Sequence, residues 1–303
     1  MTPEMIFVTR EESGERLDKL LARRFEPHHS RTYFQYLIDN HLVLLNGHPV
    51  KKRIKPSEGD EIEVNFAAAP QTDIKPEPIP LEILFEDDHL IAINKPDGMV
   101  VHPAPGNWSK TFVNALLHHC RDLPNTPDNI RPGVVHRLDK QTTGVLVAAK
   151  SLFAQQHLIN QFANREVVKT YLALCAGRPG EGEVSAPIAR HPVHRKKMAV
   201  IEGGKAAVSR YETLAYNDQF SLVQISPLTG RTHQIRVHMN HLGFPILGDA
   251  VYGHASFNQK LGAQRQMLHA SELTLQHPVT GDTLTFHAPM PHDMDHFVKL
   301  LGK

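Results

Sequence analysis

The order of strand-like runs, hairpins and short helical stretches along the 303 residues predicts an α+β fold. Three observations carry it. Residues 15–66 read as helix, helix, hairpin and closing strand, a compact unit of their own. Residues 67–80 hold four prolines and no apolar periodicity, so they read as an extended, semi-rigid linker. Residues 81–303 then run through a hairpin, two helical stretches and several valine-rich or alternating strands. The expected division is therefore 1–66, 67–80 and 81–303.

In the first unit, Leu17, Leu20, Leu21 and Phe25 fall at helical spacing, and Ser30 is placed to cap a second helix bearing Phe34, Leu37 and Ile38. Val43, Leu44 and Leu45 lead to the turn pair Asn46-Gly47, and Ile62, Val64 and Phe66 alternate as in a half-buried strand. Between them lies the basic run Lys51, Lys52, Arg53, Ile54, Lys55, which suits either a solvated hairpin rim or a phosphate contact.

In the larger segment, Ile83–Phe85 and Leu90–Ile93 form a hairpin about Asp87-Asp88. Thr111 is placed to cap a helix with Val113, Leu116 and Leu117, and a further helix with Ile159 and Phe162 follows Ser151. Between these helices, Val134-Val135 and the run from Val145 to Ala149 read as two buried strands flanking a polar turn. That turn presents Arg137 and Asp139 at a strand end, where Asp139 either closes an Asx-turn or serves as a reactive carboxylate. The stretch from Val167 to Cys175 is strand-like, with Tyr171 and Ala173 on one face, and a tyrosine there is ordinarily a core residue with its hydroxyl at the surface. Residues 190–197 (RHPVHRKK), including Arg195 and Lys196, have the best claim to nucleic acid on local charge. Two more strands precede a second polar cluster, Thr229 to His238, in which Arg231 follows a Thr-Gly turn; His233 and His238 are five apart and suggest no zinc site. Residues 246–252 and 267–286 supply further strands and a closing loop.

Composition narrows the setting. With 41% hydrophobic and 21% charged residues, the chain has the balance of an ordinary soluble protein, and no apolar run reaches the ~18 residues of a membrane-spanning helix. Residues 1–10 lack the basic and apolar regions of a signal peptide. Cys120 and Cys175 match no disulfide or metal spacing, so a reducing cytoplasm is the simplest setting. A net charge of +1 does not announce a nucleic-acid partner, although patches bind phosphates and averages do not. With 21 histidines, pairs such as His118-His119 are expected by chance and are not read as ligands.

If Arg231 lies beside Asp139, the guanidinium keeps the carboxylate ionised and oriented, a state that suits a nucleophile or base. A glycosidase would need a second carboxylate of raised pKa; Glu166 is the only candidate, and nothing fixes it there. No Gly-rich phosphate loop, Ser-His-Asp elbow or paired-cysteine metal site is present, which leaves cofactor-free, metal-free chemistry by one carboxylate. The residues alone do not name the reaction.

Four motifs in order do carry a resemblance. These are Asn94-Lys95-Pro96 with Val101-His102-Pro103; His136-Arg137-Leu138-Asp139 followed by Thr142-Thr143-Gly144; Lys169-Thr170-Tyr171-Leu172; and Gly230-Arg231-Thr232-His233-Gln234-Ile235-Arg236. Together they resemble the RluA family of RNA pseudouridine synthases over nearly the whole chain. Thr143 stands where many members have Ser, which keeps a hydroxyl. The N-terminal unit, through Arg16-Leu17-Asp18, Ser30-Arg31, Val43 to Gly47 and Gly59-Asp60, resembles the S-four-type (αL) RNA-binding domain. That domain and residues 190–200 make the chain most similar to the RluD type, which acts on large-subunit ribosomal RNA.

The resemblance implies a mixed, largely antiparallel central sheet with flanking helices and a cleft across its middle. It implies conversion of uridine to pseudouridine, with Asp139 as nucleophile at either the sugar or the uracil ring, Arg231 paired to it, and Tyr171 against the flipped base, where it would help remove the carbon-five proton. Arg137 would fill the space that the base leaves, and Leu172 and Ile235 would wall the pocket. Arg31, Lys51, Lys52, Arg53, Arg195 and Lys196 would meet RNA. The expected substrate is the helix sixty-nine stem-loop, on naked RNA or an assembling subunit, and the expected state is a monomer. A catalytically inert RNA clamp on the same fold is the competing reading.

Overall fold

The computed structural model describes residues 3–26, 29, 31–67, 74–103, 107–120, 123, 131–194 and 197–301. Ser30, the middle of the proline-rich stretch, Arg195 and Lys196 lie outside the described residues. The chain divides into two compact units: Met1–Ile74 with Asn125–Pro132, and Lys75–Pro124 with Gly133–Lys303.

The smaller unit carries β1 (Glu4–Phe7), α1 (Leu17–Arg24), α2 (Arg31–Asp39), β2 (Val43–Leu45), β3 (His48–Pro49) and β4 (Glu61–Val64). Its sheet runs β1-β4-β2-β3, antiparallel throughout. The helical periodicities bury Leu17, Leu20 and Leu21 of α1 and Phe34, Leu37 and Ile38 of α2 in one core with Val43, Ile62 and Val64. Each such side chain contributes ~1.5–3 kcal/mol by leaving water. Asn46 and Gly47 both take positive φ (52° and 76°), as a two-residue hairpin turn requires. The short edge strand β1 was not expected from the sequence.

The larger unit contains β5 (Ile83–Glu86), β6 (Leu90–Lys95), α3 (Phe112–His119), β7 (Thr143–Ala149), α4 (Leu152–Asn164), β8 (Val168–Ala176), β9 (Glu181–Ser185), β10 (Ile188–Arg190), β11 (Met198–Val200), β12 (Val208–Tyr216) and β13 (Phe220–Pro227). It closes with α5 (Gln234–His241), α6 (Ala255–Leu261), β14 (Leu268–Gln276), β15 (Thr283–His287) and α7 (His292–Lys299). Nine strands form one sheet, β5-β6-β7-β14-β8-β13-β12-β9, with β15 on β14; β10 and β11 make a separate hairpin. Among the described residues only β7 and β14 run parallel, so the sheet is mixed and largely antiparallel, as the resemblance implies. Thr111 caps α3 through a reciprocal capping box with Asn114, and Ser151 caps α4 by accepting the Ala154 N–H at 3.1 Å.

All seven residues of β7 are buried because apolar layers cover both faces: Val145 and Val147 pack on one, Leu146 and Ala148 on the other. At Gly144 (φ 108°) a Cβ would stand 2.1 Å from the Ala270 carbonyl oxygen, so only glycine lets β14 approach here.

Two expected strands are absent. Val134 makes one bridge to Ala148, and two residues on the His136 imidazole accepts the Val147 N–H at 2.9 Å. A side chain thus takes an amide that a neighbouring strand would have used. Residues 246–252 contain only an Ile246–Cys175 bridge, and residues 234–241, read as part of a polar cluster, form α5. In α4 the buried positions are Ala154, Leu158 and Gln161, whereas Ile159 is exposed.

Candidate active site

The loop that ends at β7 is held from several sides. Leu138 is buried in the core below, while Arg137 and part of Asp139 face outward. The Asp139 carbonyl accepts the Thr142 N–H at 3.0 Å, closing the turn. The Lys95 ammonium, fully buried, donates to the Pro96, Met99 and Lys140 carbonyls at 2.8, 2.9 and 3.1 Å. Arg265 reaches the Gln141 carbonyl at 3.2 Å while Asp293 grips its guanidinium at 2.6 and 2.7 Å. Gln266 donates to the Thr142 hydroxyl at 2.7 Å, and Thr143 meets His269 at 2.9 Å. A backbone fixed at this many points holds a side chain in one geometry, which is what catalysis demands of a reacting group.

The Asp139 carboxylate does not close an Asx-turn. Its Oδ2 accepts from Arg236 NH1 at 2.9 Å, and His233 Nε2 stands 3.8 Å away. Arg236 is itself gripped by Asp249, Nε to Oδ2 at 2.7 Å and NH2 to Oδ1 at 3.0 Å. Asp249 also accepts the Val251 and Tyr252 amides. Burial opposes the charge on both partners, yet their mutual hydrogen bonds hold Asp249 below the usual carboxylate range and raise Arg236 further. A permanent cation therefore faces Asp139.

Arg231 was expected in that position and is not there. Its Nε donates to the Ala206 carbonyl at 3.0 Å, although the side chain does line the cleft. The reason is local: the Arg231 amide and the Thr229 hydroxyl are both taken by Gln234 Oε1 at 2.9 and 2.7 Å, which fixes the loop ahead of α5. The first turn of α5 then carries Arg236, not Arg231, to the carboxylate. Leu172 is a second correction. It sits one residue from Tyr171 on β8 and packs against the layer of Leu174, Phe220 and Met267, outside the cleft.

The cleft measures about 400 Å³. Tyr171 and Ile235 line it, as expected, with Arg137, Arg165, Lys169, Arg231 and Arg236 around a single acid, Asp139. Glu166 is exposed and accepts from Asn164 at 3.2 Å, so it supplies no second carboxylate. Burial, then the Asp139 charge, pushes the Tyr171 phenol upward, so it stays an O–H group at neutral pH. Burial, then Lys169, takes His136 down to about 3 and keeps it neutral. Burial also brings Lys95 down to about 8, against the pull of Asp97 and Asp139. In the smaller unit Arg31 donates twice to the buried Asp18 at 2.9 and 2.8 Å, whereas Lys51 and Arg53 are exposed and Lys52 pairs with Asp39 at 2.9 Å.

A mixed sheet carrying one guanidinium-held carboxylate in a cation-ringed cleft defines an enzyme suited to a polyanionic substrate. The sequence matches the family described as RNA pseudouridylate synthase over residues 89–241. It is 41% identical to the uncharacterized RNA pseudouridine synthase YlyB of Bacillus subtilis over 98% of each chain. It is 44% identical to ribosomal large subunit pseudouridine synthase D of Nitrosomonas europaea, over 93% of this chain and 83% of that one. Among solved structures, human RNA pseudouridylate synthase domain containing 4 matches with a TM-score of 0.58 at 29% identity, over 73% of this chain and 93% of that one. The chain belongs to the RNA pseudouridine synthases, a family of isomerases. No helix among the described residues is long and apolar enough to cross a membrane.

Proposed function

We propose that this chain isomerises uridines of large-subunit ribosomal RNA, those of the helix sixty-nine stem-loop, with Asp139 as nucleophile. The observation that carries the mechanism is the Asp139–Arg236–Asp249 arrangement in a cleft with no other acid. The choice of RNA is supported by relatives named ribosomal large subunit pseudouridine synthase D, 41–44% identical over more than 90% of this chain.

The target uridine leaves its stack at a cost of a few kcal/mol. Arg137, exposed at the cleft mouth, enters the vacated space, a role suited to a planar cation that stacks and donates. Tyr171 packs on the flipped base, and Ile235 walls it. An Asp139 oxygen gives an electron pair to a carbon of the sugar or of the ring, and the C1′–N1 pair leaves with the uracil. The uracil turns, carbon five bonds to C1′, the bond to Asp139 is released with its electron pair returning to the carboxylate, the carbon-five proton is lost, and N1 takes up a proton, so the product is an isomer of the substrate. Tyr171, a neutral phenol packed on the base, is also assigned to help remove the carbon-five proton.

The organisation proposed is residues 1–66 as an S-four-type RNA-binding domain, 67–80 as linker and 81–303 as the catalytic domain, acting as a monomer in the cytoplasm. Lys51, Lys52, Arg53, Arg195 and Lys196 are assigned to RNA phosphates, and Arg31 to a structural tie with Asp18 that leaves one side exposed. The test is release of tritium from carbon five of uridine, comparing large-subunit ribosomal RNA, assembling subunits and transfer RNA. Wild-type release from the ribosomal substrates and none by Asp139→Asn, with RNA binding retained, is expected. Full activity of Asp139→Asn removes it from the mechanism, and release from transfer RNA alone refutes the substrate.

A further inference from the structure

One line of polar groups reaches Asp139 without a part in the chemistry above. It runs from the Met198 amide through Tyr252 to His233. The Tyr252 hydroxyl accepts the Met198 N–H at 2.8 Å and lies 2.9 Å from His233 Nδ1. A phenol has one hydrogen to give, and among the described residues His233 Nδ1 is the acceptor in reach. Donation to Nδ1 leaves the proton of the neutral imidazole on Nε2, and Nε2 faces Asp139 Oδ2 across 3.8 Å. Burial favours that neutral ring even though Asp139 pulls the other way. His233 holds this orientation with a left-handed backbone (φ 56°), a conformation that side chains other than glycine seldom adopt without a reason in the surroundings. The same Oδ2 already accepts from Arg236, whereas Oδ1 takes no hydrogen bond from any described residue.

We propose that His233 is a positioning residue for Asp139: Tyr252 fixes its tautomer, so that His233 Nε2–H and Arg236 hold Oδ2 and Oδ1 is left as the attacking oxygen. This rests on the reading of Asp139 as nucleophile. At 3.8 Å the N–H is beyond a hydrogen bond in the free enzyme. Contacts of this kind tighten when substrate closes the site.

The test is single-turnover tritium release from bulk RNA labelled at carbon five of uridine, with RNA affinity measured beside it. The proteins are wild type, Asp139→Asn, His233→Leu, His233→Gln, Tyr252→Phe and the Tyr252→Phe/His233→Gln double variant. A glutamine amide N–H can stand near the Nε2 position, so His233→Gln is expected close to the wild-type rate. His233→Leu is expected to be slower by about tenfold or more with little change in affinity, the scale of one lost hydrogen bond to a charged group. Tyr252→Phe slows the reaction by at least about threefold in the histidine background and by much less in the glutamine background, because its effect passes through the ring. Equal losses in both backgrounds would mean that Tyr252 acts only through the Met198 amide and would overturn the tautomer lock. Equal rates for His233→Leu and His233→Gln overturn the positioning role. Retained turnover by Asp139→Asn sinks the nucleophile reading instead, so the two failures are distinct.

Discussion

Replacing Arg236 by lysine tests the reassignment of the Asp139 partner. Arg236 spends three N–H groups on two carboxylates, NH1 on Asp139 and Nε with NH2 on Asp249. A lysine ammonium keeps the charge but is a point donor and cannot span both. Asp249, fully buried with two amides already turned toward it, would keep the ammonium, and Asp139 would lose its partner. One hydrogen bond to a charged group is worth ~1.5–3 kcal/mol. The two side chains at Asp139 are only 6% and 18% exposed, so solvent screens little of it. If the whole loss appears in the barrier, the rate falls by about 10- to 150-fold. Alanine is the poorer probe, because stranding the buried Asp249 charge would cost ~3–5 kcal/mol of stability and confuse folding with catalysis. The assay is single-turnover tritium release with RNA affinity and urea unfolding measured on the same protein. Arg231→Ala, which removes a side chain bonded to Ala206, should cost mainly affinity. A chemical step slowed more by Arg231→Ala than by Arg236→Lys would refute the reassignment.

Three more outcomes are expected. Gly144→Ala should destabilise the catalytic unit by on the order of 3–5 kcal/mol, since the new Cβ meets the Ala270 carbonyl and φ is 108°; a urea midpoint equal to wild type would show that β14 can retreat. Lys95 should titrate near 8, well below the ordinary 10.5, in ¹³C-lysine NMR, with the signal lost in Lys95→Met. Between those two values the unfolded chain holds a proton that the folded chain has released, so wild-type stability should rise with pH across that window and the Lys95→Met variant should lack the rise; parallel pH slopes in urea unfolding would contradict this. Leu172→Ala should lower stability by ~2–5 kcal/mol while sparing RNA affinity, and Ile235→Ala, at the cleft, should weaken substrate engagement; a matched loss of affinity in both would put Leu172 back in the pocket.

The parts of the structure legible in the sequence are those whose signals are local. Thr111 and Ser151 announce their helices by cap chemistry, and Asn46-Gly47 announces its hairpin by the positive φ that both residues accept. The valines of β7 announce a strand covered on both faces. Arg236 stayed hidden because α5 has no side-chain cap: His233 begins it in a left-handed conformation. Its anchor, Asp249, lies 13 residues further on, in the irregular segment that follows α5. Arg231, after a Thr-Gly turn, has the same chemistry and a more conspicuous place, and only the tertiary path of α5 separates them. Leu172 differs, because strand parity alone could have excluded it: if Tyr171 faces the cleft, its neighbour on β8 cannot. The edge strand β1, four residues long, and α7, which starts after Pro291 without a side-chain cap, fall below what periodicity can detect.

Charge is where the average misleads most. The whole chain carries a net +1, which gives no hint of RNA. Around the cleft, however, Asp139 and its second-tier partner Asp249 stand against Arg137, Arg165, Lys169, Arg231 and Arg236, two carboxylates against five cations, a nominal surplus of three positive charges. The distribution separates two demands that otherwise conflict. A polyanion needs a positive surface, yet a free cation beside the nucleophile would be drawn away by the first phosphate to arrive. Asp249 prevents this by holding Arg236 with two hydrogen bonds in a buried site, so the cation that orients Asp139 is not available to RNA. Arg137 is exposed and, among the described residues, has no ion-pair partner within the protein, so it remains free to meet the strand. The cleft thus keeps its orienting charge and its RNA-attracting charges on different side chains.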